Sequence, residues 1–360
     1  MNKFKSIEPK LVVDKQGPFK GKPNISIVIP VYNQQFKIKK NIDSILHAMS
    51  LPFELLVIDD GSTDETLYIL EAIFNKVSIE YPLLGRIRLF KFLKSVFETK
   101  CDAFGFLASR ANYVLEIQAD MTINEKGFDA RMMAALKRYE DLLMVSGRGT
   151  ERIEPIHLEY IQTLGAVGTS NSFLKHIIRR VLKQFQFFLC LKESNTGKSL
   201  KNSSDWGSFH SKIFPNIDEF NLLGRAGYLG DLVESSAPIL ENLKNKIWIG
   251  ETVMRGPILV DKNKYFEVGG LDSEKFFLGY DDHDLCLRAW AQKNYRSGYI
   301  PIDFSSPLRD GASRKMRTIN QEFEIVLNLL RINKSRKKST IYEAHKLLDD
   351  RKLKLEIREF

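Results

Sequence analysis

Two nearly continuous apolar runs early in the chain predict buried strands. The first is ISIVIPV, from Ile25 to Val31, and the second is ELLVID, which ends at Asp59. A β-branched run that is apolar on both faces is typical of a central strand in a parallel sheet covered by helices. Further apolar runs from Arg86 to Phe90 and from Tyr113 to Ile117 predict two more strands.

The segments between these predicted strands have the periodicity of helices. Apolar residues recur at helical spacing after the first run, and a second stripe follows a Ser62-x-x-Glu65 sequence that predicts a capping box. Strands that alternate with helices predict an α/β domain with a doubly wound, mostly parallel sheet. Ligands of such sheets bind where the carboxyl ends of the strands meet. The two stripes comprise Ile42, Ile45, Leu46 and Met49, and then Leu67, Leu70, Phe74 and Val77.

Two later parts of the chain carry helical patterns of their own. Between about 150 and 246, a stripe that begins at Leu174 carries basic residues on its opposite face. Such a helix either packs on a core or lies on an anionic membrane surface, and the core is the commoner case. From Thr318 onward, a further stripe predicts a C-terminal helical extension.

Composition narrows the classes of protein. The 360 residues are 43% hydrophobic, which is enough for a large core, and the formal net charge of +9 favours anionic partners such as phosphates without suggesting a nucleic-acid-binding chain. The three cysteines lack CxxC spacing, so they support neither a disulfide framework nor a thiolate zinc site. We expect no signal sequence and no membrane span, hence a cytoplasmic protein, with peripheral membrane contact as an alternative.

Acidic residues follow the predicted strands or open a predicted helix. Asp59 and Asp60 end the second run, Asp120 follows YVLEIQA, and the pair Asp281 and Asp282 lies in GYDDHDLCLRAW. Each could be no more than a helix cap or a turn residue. Together they could bind a divalent cation through oxygen ligands, hydrogen-bond a nucleoside or abstract a proton.

These motifs, in this order, resemble the signature of family 2 glycosyltransferases with the GT-A fold. The matching stretches are ISIVIPVYNQ, ELLVIDDGSTDET, YVLEIQADM and VGGLDSEKFFLGYDDHDLCLRA. The resemblance implies a GT-A domain over residues 23–317, divided into a nucleotide-binding half (23–125) and an acceptor-binding half (126–317) with an insertion near 150–246. An N-terminal segment (1–22) precedes this domain, and a helical tail (318–360) follows it.

The resemblance also implies a site for a nucleotide-sugar donor. Pro30, Val31 and Tyr32 would form the floor under the nucleotide base, and the Tyr32 ring would stack on the base. Asp60 would accept a hydrogen bond from the base, with Asp59 beside it. The donor would be a UDP-, GDP- or dTDP-sugar.

In the family, an Asp-x-Asp motif holds a divalent cation that bridges the two phosphates of the donor. The corresponding residues here are Gln118, Ala119 and Asp120, so the first carboxylate is replaced by an amide. Asp120 would be the ligand nearest to Mn²⁺ or Mg²⁺, and Gln118 would offer a neutral oxygen. Before a Gly-Ala-Ser-Arg loop the family often has a histidine ligand, whereas this chain has Asp310, either a substitute ligand or a turn residue.

Basic and acidic side chains would complete the implied site. Lys100 is a substitute candidate for a basic residue of the family, and Arg314 would either stabilise the leaving diphosphate or be an ordinary surface charge. Asp282 matches the aspartate that takes the proton from the acceptor hydroxyl, and Asp281 replaces a glutamate. His283 beside them either assists or, more commonly for such a position, packs or hydrogen-bonds locally.

The resemblance therefore implies an inverting glycosyltransferase with Asp282 as general base and metal-assisted departure of the nucleoside diphosphate. The acceptor would be a glycan, a lipid-linked glycan or a protein. We expect it to contact Trp248, Glu251 and Arg255, each of which could equally be structural. Two alternatives remain: a nucleotidyltransferase, and a catalytically inactive protein that binds nucleotide sugars.

Overall fold

The computed structural model describes residues 8–76, 81–147, 150–151, 244–250, 252–253, 255–300, 302–305, 324, 327–328, 331–332 and 356–360. The basic stripe that begins at Leu174 lies outside these residues. The helices with continuous described residues are α1 (Ile38–Ala48), α2 (Thr66–Lys76), α3 (Glu98–Ala108), α4 (Phe128–Arg138), α5 (Lys262–Glu267) and α6 (Asp281–Lys293).

The strands alternate with these helices along the first half of the chain. In order they are β1 (Lys10–Gln16), β2 (Ile25–Val31), β3 (Phe53–Asp59), β4 (Leu84–Lys91), β5 (Tyr113–Glu116), β6 (Thr122–Ile123), β7 (Leu142–Ser146), β8 (Thr150–Glu151), β9 (Lys246–Gly250), β10 (Thr252–Val253), β11 (Ile258–Asp261), β12 (Arg296–Tyr299), β13 (Phe304–Ser305) and β14 (Glu356–Glu359).

Ten of these strands form one mixed sheet, in the order β1-β4-β3-β2-β5-β11-β7-β12-β9-β14. The pairs β4–β3, β3–β2, β2–β5 and β7–β12 are parallel, and the other neighbours are antiparallel. Seven of the ten strands consequently run in one direction, with β1, β11 and β9 opposed. The prediction of a mostly parallel sheet is confirmed. Strands β6 and β13, and likewise β8 and β10, form two-stranded sheets.

Helices cover both faces of the sheet, and β2 shows why its sequence is apolar throughout. Its residues Ile27 and Ile29 belong to a core that also contains buried side chains of α1, α2 and α4. Val28, between them, points to the opposite core, which contains side chains of α3 and α6 such as Phe106 and Leu285. Because neighbouring strand residues face opposite sides, a strand covered on both faces needs apolar residues at every position.

The start of α2 differs from the predicted capping box. The Ser62 hydroxyl accepts a hydrogen bond from the Asn33 backbone N–H at 3.0 Å, and the Glu65 N–H donates to Gln35 Oε1 at 3.0 Å. Helix α2 begins at Thr66. The capping-box prediction is wrong because the Asn33 backbone and the Gln35 side chain, both in the turn after β2, pair with these groups instead.

Both ends of the chain contribute to the main sheet. Strand β1 lies within the N-terminal segment predicted to precede the domain, and it pairs antiparallel with β4. Residues 324, 327–328 and 331–332 are helical, as the stripe after Thr318 predicts, but β14 pairs antiparallel with β9. A helical prediction up to Phe360 is therefore wrong at its end, where pairing with a sheet edge outweighs local preference. No helix of the described residues is long and apolar enough to cross a membrane.

Candidate active site

The turns after β2 and β3 lie against each other at the carboxyl ends of these strands. The Asp60 N–H donates to the Val31 carbonyl at 2.8 Å, and the Thr63 N–H donates to Asn33 Oδ1 at 2.8 Å. Asn33 has a positive φ of 49°, which an asparagine tolerates better than most residues. The structure thus brings the predicted base-floor residues, of which Tyr32 is partly buried, next to the predicted aspartate pair.

The two aspartates of that pair are buried and have different partners. Asp60 accepts hydrogen bonds from the Ser95 hydroxyl at 2.6 Å, the Val96 N–H at 2.6 Å and the Phe97 N–H at 3.1 Å. Burial raises the pKa of Asp60, and these hydrogen bonds only partly offset it. Asp60 thereby fixes the segment that leads into α3. Its hydrogen bond to a nucleotide base stays a prediction.

Asp59 has one oxygen committed and one buried without a hydrogen-bond partner. Its Oδ1 accepts from the Ser62 N–H at 3.2 Å, whereas Oδ2 has no partner. Burial raises the pKa of Asp59, against the hydrogen bonds from Ser62. An unpaired buried oxygen is costly and is more often found where a ligand or water binds than in a packed core. Asp59 is therefore the member of the pair with an unsatisfied oxygen, and this oxygen is enclosed, since the residue is 0% exposed.

The turn after β5 carries the residues that match the metal motif. Asn41 of α1 holds this turn by donating from Nδ2 to the Gln118 carbonyl at 3.0 Å and to the Met121 carbonyl at 2.8 Å. Asp120 on the turn is 9% exposed. Gly256 packs against the turn, with a φ of +57°, and a Cβ there would lie 2.8 Å from Met121 Cε and 3.2 Å from Gln118 Cγ. The residues around Gly256 therefore lie directly beside the metal motif.

A cluster of carboxylates surrounds Arg255, the residue before that glycine. Glu98, Asp102 and Glu116 each have an oxygen within 4.8 Å of the other two. The Arg255 guanidinium hydrogen-bonds the carboxylates of Asp102 and Asp281, and its Nη1 lies 3.4 Å from Glu98 Oε1. We call these five residues the Arg255 cluster.

The Arg255 cluster touches the metal motif through Glu98, whose Oε1 accepts a hydrogen bond from Gln118 Nε2 at 2.9 Å. Burial raises the pKa of Asp102 to about 7, against the attraction of Arg255. Burial lowers the pKa of Arg255, but Asp102 and Glu98 outweigh burial and raise it further above its ordinary value. The guanidinium is therefore the permanent positive charge among these acids.

Asp282 follows Asp281 of the Arg255 cluster and lies in the first turn of α6. Its side chain is 15% exposed, and its Oδ1 accepts hydrogen bonds from the backbone N–H and the Nδ1 of His283, both at 2.8 Å. Burial raises the pKa of Asp282, but His283 and Arg255 more than offset burial, so the pKa lies below its ordinary value. A helix N-terminus also favours the ionised form. Asp282 is thus an ionised carboxylate that solvent can reach.

Apart from Arg255, the other residues predicted to bind the donor, the acceptor or the metal are not joined to this site by described side-chain contacts. Lys100, on α3, forms an ion pair with Glu274 at 2.9 Å. Trp248 lies in β9, and its backbone pairs with Tyr299 of β12, whereas Arg255 lies in the cluster beside α3 and α6. The structure does not join Trp248 and Arg255 in one described contact, and their acceptor role stays a prediction. Glu251, Asp310 and Arg314 lie outside the described residues.

Sequence reasoning missed three acids of the cluster. Glu98 and Asp102 are four residues apart on α3, a spacing that places them on one helix face. Glu116 is 2% exposed and interrupts an apolar strand, which is unusual for a charged residue unless it has a partner or a role. These two signals could have pointed to the cluster, but not to Arg255 as its cation.

The described donor groups fit a divalent cation. Glu98, Asp102 and Glu116 supply carboxylate oxygens within 4.8 Å of one another, and such oxygens are the hard ligands that Mg²⁺ and Mn²⁺ prefer. In addition, Asp102 Oδ1 is buried without a hydrogen-bond partner. An acidic site beside the metal motif could therefore hold a metal ion.

Comparison with known proteins supports the family resemblance. Residues 26–192 match the model of glycosyl transferase family 2, and the resemblance carried by the motifs is confirmed. A dolichyl-phosphate beta-glucosyltransferase from Dictyostelium discoideum is 25% identical over 178 residues, which cover 47% of this chain and 50% of the relative. An uncharacterized glycosyltransferase from Haemophilus influenzae is 43% identical over 54 residues, which cover 15% of this chain and 22% of the relative. The chain thus spans half or less of the length of these curated relatives.

A solved structure shares the fold. The crystal structure of GalNAc-T7 with UDP, GalNAc and Mn²⁺ superimposes with a TM-score of 0.50 at 11% sequence identity. The match covers 88% of this chain and 48% of that chain. Together with the sheet order, this likeness supports the predicted GT-A type fold.

Proposed function

We propose that this protein is an inverting glycosyltransferase that moves a sugar from a nucleoside diphosphate sugar to an acceptor hydroxyl. The observation that carries this proposal is the ionised, partly exposed Asp282 carboxylate in the first turn of α6. It is connected to the metal motif through Asp281, Arg255, Glu98 and Gln118. The family match over residues 26–192 supports glycosyl transfer.

In the proposed reaction, Asp282 accepts the proton of the acceptor hydroxyl as its oxygen attacks the anomeric carbon. A bond forms between that oxygen and the anomeric carbon, and the bond from this carbon to the diphosphate oxygen breaks on the opposite face. The configuration at the anomeric carbon is therefore inverted. A carboxylate is a weak base, but this suffices because the proton need leave only as the new bond forms.

The donor would bind at the carboxyl ends of β2 and β3. Tyr32 would stack on the base above Pro30 and Val31, and stacking of this kind is worth about 1 to 3 kcal/mol per base. The hydrogen bond between the Thr63 N–H and Asn33 Oδ1 supports this placement, because it joins the turns after β2 and β3 at one edge of the sheet.

A divalent cation, Mn²⁺ or Mg²⁺, would be held by Asp120, with Asp310 as a second proposed ligand and Gln118 as a neutral one. When bound, it would neutralise part of the charge on the leaving diphosphate. The chain's own basic residues Lys100 and Arg314 would add to that stabilisation.

The acceptor would be a glycan, a lipid-linked glycan or a protein. A lipid-linked acceptor deserves the first test because the relative from Dictyostelium discoideum is named a dolichyl-phosphate beta-glucosyltransferase. With such an acceptor, the enzyme would work in the cytoplasm at the membrane surface.

The test is to incubate the protein with UDP-, GDP- and dTDP-sugars, with and without Mn²⁺, and to measure released nucleoside diphosphate and transferred sugar. We expect diphosphate release from one donor class, dependent on metal and on Asp282. Release of pyrophosphate from nucleoside triphosphates would instead indicate a nucleotidyltransferase. Donor binding without turnover under any condition would indicate an inactive binding protein.

A further inference from the structure

One arginine joins acidic groups from two helices beside the proposed base. The Arg255 side chain is 13% exposed, and its guanidinium contacts Asp102 of α3 and Asp281 of α6. The two aspartates are almost wholly buried, with 1% and 5% of their side chains exposed. A buried charge is strongly destabilising unless it is paired, so each of the three side chains depends on the others.

The first turn of α6 depends on this contact more than a typical helix start would. Its N-cap residue, Tyr280, has a φ of 65° and provides no side-chain cap hydrogen bond. Asp281 is the first helical residue, and its carboxylate is held from outside the helix by Arg255. The contact between Arg255 and Asp281 therefore takes the place of a side-chain cap, and it fixes the direction in which the next residue, Asp282, points.

Arg255 is itself held in place from several sides. The following residue, Gly256, packs against Gln118 and Met121. Its guanidinium also lies 3.4 Å from Glu98, which accepts a hydrogen bond from Gln118. The arginine thus connects the turn that carries Asp120 to the helix that carries Asp282.

We propose that Arg255 is a positioning residue for the base: by holding Asp281 against Asp102, it fixes the first turn of α6 and orients the Asp282 carboxylate. This inference rests on the proposed function, because it takes Asp282 to be the base. It replaces acceptor binding as the role of Arg255, since the guanidinium is already committed to carboxylates.

The charge of Arg255 also acts on Asp282. Burial raises the pKa of Asp282, and the positive charges of His283 and Arg255 oppose burial. Other ionisable groups of α6 lie close to Asp282 along the helix: Asp281 precedes it, Asp284 is on the same turn and pairs with Arg288, and Cys286 is one turn later. Removal of the guanidinium leaves burial and the unpaired Asp281 charge to act together, and both raise the pKa of Asp282.

The test compares Arg255→Met and Arg255→Lys with wild type and with a matched control, Arg88→Met. Arg88 is an equally buried arginine, 11% exposed, paired at 2.9 Å with Glu54, which is 1% exposed. Glu54 is the second residue of β3, so this pair lies at the opposite end of the strand from Asp59. Each variant is assayed for nucleotide affinity, for kcat and KM, and for the titration of Asp282 by ¹³C NMR of labelled aspartate, assigned with Asp282→Asn.

We expect Arg255→Met to lower kcat about 100-fold or more with nucleotide affinity within about threefold of wild type. The Asp282 titration, and with it the acid limb of the rate profile, should move up by about one pH unit or more. Arg255→Lys keeps the charge without the two-pronged contact, so its Asp282 titration should stay near wild type while kcat is intermediate. Arg88→Met should lose stability but keep both the kcat of its folded fraction and the titration.

A higher acceptor KM with unchanged kcat and unchanged titration in Arg255→Met would overturn the proposal in favour of acceptor binding. If Arg255→Met loses stability as Arg88→Met does but keeps the wild-type kcat and Asp282 titration, Arg255 has only a structural role. That result would also overturn the proposal. If Arg255→Met does not fold, Arg255→Lys decides, because a wild-type kcat in that variant contradicts the proposal. An inactive wild type would refute the proposed function instead, and the NMR titration would still decide whether Arg255 controls Asp282.

Discussion

Replacing Asp282 with asparagine should remove the base and leave the fold in place. The amide has nearly the same size, and its oxygen can still accept the two 2.8 Å hydrogen bonds from the backbone N–H and Nδ1 of His283. What is lost is one negative charge at a helix N-terminus, worth about 0.3 to 1 kcal/mol. Its attraction to His283 and Arg255 is lost as well, and the relief from burying a charge partly offsets that loss. We expect a correspondingly small decrease in the free energy of unfolding.

The effect on the rate should be far larger than the effect on stability. General-base catalysis contributes about 10² to 10⁴ in rate, which corresponds to about 3 to 5 kcal/mol of transition-state stabilisation. Because the base acts on the acceptor and not on the nucleotide, nucleotide affinity should stay within a few-fold of wild type. Asp282→Asn therefore separates catalysis from binding and from folding.

The pH dependence follows from the sign of the pKa shift. The folded-state pKa of Asp282 lies below its ordinary value of 3.8. The ionised form therefore stabilises the folded state above pH 3.8, and this contribution is lost as the pH falls through the lower, folded value. In wild type, protonation of Asp282 should not reduce kcat between about pH 5 and 8.

The assay measures kcat, nucleotide affinity by calorimetric titration and thermal unfolding on the same preparations of wild type and Asp282→Asn. Asp284→Asn is a matched control, because Asp284 lies on the same helical turn but forms an ion pair with Arg288 at 2.7 Å. A kcat of Asp282→Asn within a few-fold of wild type would refute the assignment of the base. So would equal losses of kcat in both variants.

Three further results are expected. Tyr32→Ala should weaken nucleotide binding by about 1 to 3 kcal/mol in a calorimetric titration, and an unchanged affinity would exclude Tyr32 from the base floor. Asp120→Ala should abolish the Mn²⁺ dependence of donor binding, and a dependence equal to that of wild type would place the metal elsewhere. Gly105→Ala should lower the free energy of unfolding by about 1 to 3 kcal/mol, because its Cβ would lie 2.4 Å from Val28 Cγ1. Unchanged denaturant unfolding would contradict the close packing of α3 on β2.

The sequence predicts the layered part of the fold well because that part depends on local patterns. The apolar run from Ile25 to Val31 coincides with β2, and the run that ends at Asp59 coincides with β3. Of the helical stripe after β2, Ile42, Ile45 and Leu46 are buried in α1. Burial on one or both faces of an element leaves a period in the sequence, and this period can be read without knowing the partner.

The Arg255 cluster could not be predicted in this way, because its members come from separate elements. Arg255 and Asp102 are 153 residues apart in sequence, and Glu116 comes from a strand between them. The sequence around each of these residues does not indicate which residue it pairs with. Only the packing of α3, β5 and α6 brings these charges together, and the motif around Asp282 predicts the base but not what holds it.

The capping-box prediction was wrong for a related reason. Ser62 and Glu65 have the spacing of a local motif, but the Asn33 backbone and the Gln35 side chain, from the turn after β2, pair with them instead. In this region the chain uses polar residues to join two turns at the carboxyl ends of neighbouring strands. A local motif next to a candidate ligand site is therefore a weaker guide than the same motif on an ordinary surface helix.

The stereochemistry of the first-formed product tests the central claim most directly. The protein is incubated with its active nucleotide-sugar donor and an acceptor, and the anomeric configuration of the transferred sugar is determined by ¹H NMR before any exchange can occur. A single displacement assisted by Asp282 predicts that the product has the opposite anomeric configuration to the donor. A product that retains the donor configuration would contradict the account.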